Sequence, residues 1–259
     1  MDQLLKMLTI ELFFQCYYDL NCIRKLRKGD PLIVFQMGKV GSKSIYNSLK
    51  KSAIKSIFHT HYLNYNHQYA FIRRLYELVV NQKKPTRIIS LTREPFSRNV
   101  SAFFETLPRY AISNTHHVNT DDLANIFFHK FYHDEPLLWF DTQLKRVTGF
   151  DVYQHQLIDN QYIAGSSRNF KILVLKSELS NSLKEEIISN FLNIKFKIRN
   201  ANLTKDKQIS TTYTDFKKRI AYDENFVSAI IKSRYFDHFY GSDQNEILSK
   251  LNITSNTIK

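Results

Sequence analysis

The stretch that decides the fold is PLIVFQMGKVGSKS, residues 31–44. It begins as a short apolar run between Gly29 and Gly38, which is typical of a strand buried on both faces of a parallel sheet. From Ser42 onward the spacing becomes helical, and we predict a helix over 42–54. A turn between a buried strand and a helix N-terminus directs backbone N–H groups and partial positive charge at one point. The turn is therefore predicted to bind an anion such as phosphate, with its glycines permitting positive φ and close approach.

Strands and helices alternate along the rest of the chain. We predict strands at 31–37, 56–62, 87–92 and 170–175, and further helices at 69–81, 97–105, 121–133, 136–148 and 180–192. The β-α-β-α-β order predicts right-handed parallel crossovers, hence an α/β fold with three layers, α/β/α, a central parallel sheet and helical insertions. The 259 residues suit one domain over 1–259, with an N-terminal helix over 1–28 and a frayed tail at 248–259.

The chain is strongly basic. Its 37 Lys and Arg against 24 Asp and Glu give a net charge of +13. This excess favours a polyanionic partner: nucleic acid, an acidic polysaccharide, a phosphate-rich cofactor or an anionic membrane surface. A clustered basic face with interleaved aromatic residues, which would favour nucleic acid, is not found in the sequence, so we expect no nucleic-acid partner. No feature of the sequence sets an oligomeric state.

The cysteines and the N-terminal segment indicate the cellular compartment of the protein. Cys16 and Cys22 are too few to organise a secreted fold or a metal cluster, which predicts a reducing compartment. Charged residues interrupt the N-terminal apolar runs long before the length of a membrane span or signal peptide. They are Asp2, Lys6, Glu11 and Asp19. We expect a cytoplasmic protein whose amphipathic N-terminal helix packs on its own domain or, as the alternative, contacts a membrane surface reversibly.

The turn after the first strand is similar to a nucleotide-triphosphate P-loop but departs from its motif. That motif is G-x-x-x-x-G-K-[ST], and here Ser42 precedes Lys43-Ser44 where the last glycine should stand. The third predicted strand carries no acid to organise Mg²⁺ and is followed by Arg93. The pattern favours phosphate binding without a metal. A metal-dependent, kinase-like P-loop enzyme and a non-catalytic polyanion-binding protein are the alternatives.

Two segments together resemble a known family. The first is Lys39-Val40-Gly41-Ser42-Lys43-Ser44, and the second is Arg93-Glu94-Pro95 followed by Ser101. In this order they resemble the cofactor signatures of sulfotransferases that use 3′-phosphoadenosine 5′-phosphosulfate (PAPS), whose fold is P-loop-like. The resemblance implies that 39–44 bind the 5′-phosphosulfate, that Arg93 and Ser101 bind the 3′-phosphate, and that no metal takes part. It also implies that Lys39 contacts the bridging oxygen of the phosphosulfate.

Three further stretches are similar to bacterial capsular polysaccharide synthesis proteins that look like sulfotransferases. They are 137–153, 171–180 and 202–218. The resemblance implies transfer of a sulfuryl group from PAPS to a hydroxyl or amine, leaving adenosine 3′,5′-bisphosphate (PAP), with a glycan or a small hydroxylated molecule as acceptor. Lys43 departs from the family, which more often has Ser or Thr there, and the family's nucleotide clamp has no obvious counterpart. Residues 202–213, with Lys205 and Lys207, are either its replacement or an exposed basic loop.

Two histidines at the end of the second strand are candidates for the general base. Period-two alternation puts His59 and His61 on one face, near the edge where open α/β sheets place their sites. Histidine ionises near neutral pH and can accept a proton from an acceptor hydroxyl. We rank His61 first, His59 second and Glu105 third. The alternative for each histidine is a hydrogen-bonded role within the fold.

Other histidines could suggest a metal, and one tryptophan a sugar platform. The histidines are His116, His117, His129 and His133. Since no third ligand stands at a recognisable spacing, we predict no metal site. Trp139 lies among aromatic residues, and we predict that it belongs to the core.

Overall fold

The structure is a computed structural model that describes residues 20–110, 112, 119–199, 207–220, 222–251 and 253, without the side chains of 207–211. Among these residues, five strands form one sheet: β1 (Leu32–Phe35), β2 (Ile57–Thr60), β3 (Thr86–Thr92), β4 (Tyr162–Ser167) and β5 (Phe170–Lys176). The strand order is β2-β1-β3-β5-β4. Four strands are parallel, and β4 pairs antiparallel with β5 at one edge.

Helices flank this sheet, and residues 20–26 are also helical. The numbered α-helices are α1 (Ser42–Leu49), α2 (Ala70–Tyr76), α3 (Pro95–Thr106), α4 (Thr120–Lys130), α5 (Glu135–Trp139), α6 (Arg146–Thr148), α7 (Asn181–Leu192), α8 (Lys207–Arg219), α9 (Glu224–Ile231), α10 (Arg234–Tyr240) and α11 (Gln244–Lys250). Wider π-helical turns extend α2 over Glu77–Asn81 and join α5 to α6 over Phe140–Lys145. Short 3₁₀ turns lie at Leu107–Tyr110, Val152–Gln154 and Gly241–Asp243. The prediction of a mixed α/β fold is confirmed: a five-stranded sheet is flanked by helices.

The strand order creates a switch point between β1 and β3. After β1 the chain crosses to β2 on one side, and after β2 it crosses to β3 on the other side of β1. At such a point the two connections leave in opposite directions and open a crevice at the carboxyl ends of the strands. The turn after β1 and Arg93, which follows β3 directly, therefore meet at one edge of the sheet.

Several predicted boundaries are corrected by the structure. The first helix ends at Leu49, five residues before the predicted 54. Strand β4 was not predicted, because its sequence, YIAGSS, offers little of the β-branched alternation that marks a strand. The predicted frayed tail at 248–259 starts too early, since Leu248 lies in α11 and is buried. Most of the predicted helix over 1–28 lies outside the described residues.

Two tyrosines from α10 hold the end of β3. The Tyr235 hydroxyl donates to the Arg93 carbonyl at 2.9 Å and accepts from the Arg93 N–H at 3.1 Å. The Tyr240 hydroxyl lies 2.9 Å from Thr92 Oγ1. Burial raises the pKa of both phenols, so each remains a neutral hydroxyl that can donate and accept. The backbone that presents Arg93 is thus fixed by a helix far along the chain.

Removing the Tyr235 hydroxyl should destabilise the protein. Tyr235→Phe leaves the Arg93 N–H and C=O without this partner, so we expect the free energy of unfolding to fall by about 1–3 kcal/mol. Tyr153→Phe is the matched control, because the Tyr153 hydroxyl is buried without a partner among the described residues. We expect the control to change the free energy by less than about 0.5 kcal/mol or to raise it. Urea unfolding of the two variants measures the difference, and equal losses would contradict this account of Arg93.

Candidate functional site

The turn after β1 has an unusual backbone. Lys39 has φ 69° and Gly41 has φ 77°, both in the left-handed region. Glycine adopts this conformation freely, and Gly41 forms the N-cap of α1. Lys39 adopts it against its own Cβ, which costs about 1–3 kcal/mol in a non-glycine residue. Contacts elsewhere in the protein must therefore hold the turn at Lys39.

Two arginines provide those contacts. Arg93 Nη1 donates to the Lys39 carbonyl at 2.7 Å, and Arg98 Nε donates to the Gly38 carbonyl at 3.1 Å. In a trans peptide the C=O and N–H point in opposite directions. The N–H groups of Lys39 and Val40 share these two peptide units, so they point away from the arginines. The pair of hydrogen bonds thus directs these two amide donors away from Arg93 and Arg98.

Arg98 is a residue that sequence reasoning missed. Its side chain is 1% exposed and forms an ion pair with Glu135 of α5. Its Nη1 also donates to Asn99 Oδ1 at 3.0 Å. A buried guanidinium requires a carboxylate partner, and this partner stands 37 positions away. The available signal was an arginine within the apolar helix that follows Pro95, but nothing in the sequence names its partner.

Three side chains join the turn to β2. The Gln36 amide donates to Ser42 Oγ at 2.9 Å and lies 3.1 Å from His59 Nε2, and Ser42 Oγ lies 2.9 Å from the same nitrogen. Because an amide NH₂ only donates, His59 Nε2 must be an unprotonated acceptor. Burial lowers the pKa of His59 to about 4, with the charges of His61 and Lys43 adding to the effect. His59 is therefore neutral at neutral pH and is committed to holding the turn.

The two serines of the predicted phosphate signature are both engaged within the protein. Ser42 is 5% exposed and its hydroxyl belongs to the group formed with Gln36 and His59. Ser44 donates to the Gly41 carbonyl at 3.0 Å. Val40 is buried, so only its backbone can meet a ligand, while Lys43 is exposed. The backbone and the lysines, rather than the serine hydroxyls, are the groups that the turn presents.

His61 is held in a defined tautomer. Its Nδ1 lies 2.7 Å from the Gln36 carbonyl oxygen, which can only accept, so Nδ1 carries the proton. In the neutral ring Nε2 is then the acceptor. Trp139, buried against Phe35 as predicted for a core residue, donates from Nε1 to the His61 carbonyl at 3.1 Å. Both ring and backbone of His61 are thus positioned by neighbouring elements, as a general base requires.

The remaining candidates lie along α3. Lys39 Nζ lies 3.6 Å from Glu105 Oε2, in a pair whose side chains are 29% and 60% exposed. Ser101 stands one helical turn before Glu105 and one turn after Ser97, so the three share a face. Arg93 comes just before this helix. The structure therefore places Lys39, Ser101 and Glu105 on the α3 side of the turn, and His59 and His61 on the β2 side.

A cavity of about 340 Å³ opens beside Arg93 at the carboxyl ends of β3 and β5. Ser97 of α3 and the C-terminal helix α11 contribute to its walls. Lys176 at the end of β5 is buried and bonds to Asn160 Oδ1 at 2.9 Å and to Asp243 Oδ2 at 2.8 Å. The volume of the cavity lies in the range of small-molecule pockets, about 300–1,000 Å³. The cavity adjoins the candidate phosphate residues and is large enough for a nucleoside.

Other residues considered in the sequence lie away from this site or outside the described residues. His116, His117 and Lys205 lie outside the described residues, as does the Lys207 side chain. His129 is exposed, and His133 uses both ring nitrogens, lying 2.6 Å from the Phe127 carbonyl and 3.4 Å from Asn99 Nδ2. In the described ranges, no group of three or more candidate ligands could hold a metal ion, and no helix is long and apolar enough to cross a membrane.

Comparison with protein families gives a match over the second half of the chain. Residues 114–241 match the NKWYS family model, described as "Putative capsular polysaccharide synthesis protein". No curated protein matches the chain. The match supports a capsular polysaccharide-related family. The match does not cover the turn after β1 or the segment from Arg93 to Ser101. It does cover Glu135 and Tyr235, which bond to Arg98 and Arg93, and Trp139, which bonds to the His61 carbonyl.

His59 should make stability depend on pH. Its pKa of about 4 in the fold lies below the ordinary 6.5, so the unfolded chain binds the proton more readily. The stability that His59 contributes is therefore full above about pH 6.5 and is lost as the pH falls toward 4. Between pH 7 and pH 5, the wild type should lose about 2 kcal/mol more free energy of unfolding than His59→Asn. Urea unfolding at both pH values tests this, and parallel losses in the two proteins would refute it.

Proposed function

We propose that this protein transfers a sulfuryl group from PAPS to a hydroxyl or amine of an acceptor, leaving PAP. The observation that carries the proposal is the hydrogen bond from Arg93 Nη1 to the Lys39 carbonyl, 2.7 Å long. It joins the two segments that the sequence marks as candidates for anion binding, at the switch point of the sheet. Two such segments suit a nucleotide with phosphates at two positions of its ribose. The match to a capsular polysaccharide-related family supports a glycan as the acceptor.

The donor groups of the site suit this nucleotide. Residues 36–44 contain no acid, and the turn offers the N–H groups of Lys39 and Val40, the first N–H groups of α1 and the ammonium groups of Lys39 and Lys43. These would hold the 5′-phosphosulfate. Arg93 and Ser101 would hold the 3′-phosphate, with Ser97 on the same helix face nearby. The cavity beside Arg93 would take the nucleoside.

The chemistry divides between the two sides of the turn. The acceptor oxygen attacks sulfur while the bond from sulfur to the bridging oxygen breaks, and the electron pair of that bond moves to the 5′-phosphate. The Lys39 ammonium would stabilise the charge that develops on this leaving group. His61 Nε2 would take the proton from the acceptor hydroxyl, because the Gln36 carbonyl fixes the ring proton on Nδ1. Glu105, paired with Lys39, is the second candidate for this proton.

The strand ends favour this reaction over that of a metal-dependent nucleotide kinase. Such enzymes end a neighbouring strand in an acid that organises Mg²⁺. Here Arg93 follows β3, and β5 ends at Lys176. Glu94 is engaged as the N-cap of α3, accepting from the Phe96 and Ser97 N–H groups at 2.9 and 2.8 Å. Neither strand therefore ends directly in an acid, and the acids Glu178, Asp243 and Glu246 enter the neighbouring cavity from other elements.

Binding of PAP is the first test. Calorimetry should detect PAP binding without Mg²⁺, and binding tighter than that of ATP with or without Mg²⁺. Arg93→Ala should weaken PAP binding by about tenfold or more, because it removes a charge-assisted contact of about 1.5–3 kcal/mol. Arg87→Ala, at the opposite end of β3, is the matched control and should bind PAP as the wild type does. Preferential, Mg²⁺-dependent binding of ATP would support the kinase instead.

Single-turnover transfer separates the two histidines. With radiolabelled PAPS and a panel of oligosaccharide acceptors, His61→Ala should lower the transfer rate by about 10²–10⁴ while PAP affinity stays within a factor of about two. His59→Ala should weaken PAP binding as well, since it frees the turn. If both variants transfer at the wild-type rate, the base is not a histidine and Glu105→Gln becomes the deciding variant.

A further inference from the structure

A second cavity, of about 400 Å³, lies at the carboxyl end of β2. His59 and His61 line one side of it, and the other side is lined by residues just before and at the start of α2, namely His67, Gln68, Tyr69, Phe71 and Ile72. His61 therefore contacts the turn that follows β1, through the bond from Nδ1 to the Gln36 carbonyl, and also lines this cavity. A molecule in the cavity would lie next to the candidate base.

The far wall of the cavity is rigidly built. Arg73 Nη1 donates to the His67 carbonyl at 2.6 Å and to the Gln68 carbonyl at 3.0 Å. The Tyr69 N–H donates to His67 Nδ1 at 3.1 Å, so the neutral His67 ring carries its proton on Nε2. Burial and the charge of Arg73 lower the pKa of His67, which favours this neutral form. The wall thus presents a fixed imidazole donor beside the Gln68 amide.

The lining is uncharged in a chain of net charge +13. No Asp, Glu, Lys or Arg is among the residues that line the cavity, and Arg73 directs its guanidinium at backbone carbonyls. Tyrosines form its open rim: Tyr62 is 44% exposed and Tyr69 is 38% exposed. The Tyr69 ring stacks on the Phe71 ring, with 6.1 Å between the ring centroids and an interplanar angle of 15°. This contact holds the plane of the Tyr69 ring.

We propose that this cavity binds an uncharged, hydroxyl-bearing sugar unit of the acceptor, packed against Tyr69 and placed beside His61. Aromatic faces pack the apolar faces of a sugar, while neutral donors and acceptors satisfy its hydroxyls. No cationic side chain lines the cavity to pair with a carboxylate, since the Arg73 guanidinium is bonded to backbone carbonyls of the wall. The basic surplus of the chain then serves the donor nucleotide and not this sugar. The inference rests on the proposed function, because it assigns the acceptor side of the same reaction.

The experiment uses the full chain, radiolabelled PAPS and pairs of methyl glycosides. Methyl β-glucoside and methyl β-galactoside are each compared with their uronic acids, which add only a carboxylate. We expect transfer to at least one neutral glycoside, and kcat/KM at least about tenfold higher for it than for its uronate. Preference for a uronate, or no transfer to either neutral glycoside, would overturn the assignment.

Variants of Tyr69 locate the sugar. Tyr69→Ala should raise KM for the neutral glycoside by about tenfold through loss of the packed ring, with little change in kcat. Tyr69→Phe, which keeps the ring, should restore the wild-type KM, and Tyr132→Ala removes a tyrosine that is 61% exposed and does not line the cavity. Equal KM values for Tyr69→Ala and Tyr132→Ala would contradict the proposal.

Calorimetry with PAP separates the two levels of inference. If the wild type and Tyr69→Ala bind PAP equally but the glycoside results fail, the cavity is not the acceptor site and the proposed function stands. If the wild type does not bind PAP, the proposed function itself fails, and the cavity assignment fails with it.

Discussion

The guanidinium of Arg98 sets the strictest constraint in this structure. A charge that is 1% exposed cannot be left unpaired, so Glu135 must stand beside it, and the rest of its donors must find acceptors. One of these acceptors is the Gly38 carbonyl, which orients the first peptide of the turn. Burial of one charge thus fixes the direction of amide donors several ångströms away. Arg93 does the same for the next peptide, with a backbone that Tyr235 holds.

The part of the chain that matches the capsular polysaccharide-related family supports the candidate site through hydrogen bonds. Glu135 pairs with Arg98, Trp139 donates to the His61 carbonyl, and Glu178 accepts from the Glu94 N–H at 2.9 Å. Glu135, Trp139 and Glu178 lie outside the two candidate cofactor segments. The matched region therefore contributes support and orientation to residues that precede it in the sequence. The family match, over residues 114–241, therefore covers residues that support the candidate site and not the groups that would bind phosphate.

What the sequence could predict is local. The strand, turn and helix around residues 39–44 could be recognised because the signals stand next to each other, and Arg93 could be placed because it follows a strand directly. The group formed by Gln36, Ser42 and His59 could not, since it joins positions up to 23 apart through packing alone. The same applies to the different environments of His59 and His61. The two histidines follow the same alternating pattern in the sequence, and only their surroundings give His59 bonds to Gln36 and Ser42 and give His61 a bond to the Gln36 carbonyl.

The distance along the chain between Arg93 and Tyr235, 142 positions, has a consequence for how the protein folds. The end of β3 has its partner only after α10 has been synthesised and has docked. Contacts of such sequence separation form late because the intervening chain must be ordered first. During synthesis, the first strands would therefore emerge with the turn after β1 incompletely held. Any ligand that binds only the finished turn would favour the docked state of the C-terminal helices by mass action, and its supply would then be thermodynamically linked to maturation of the chain.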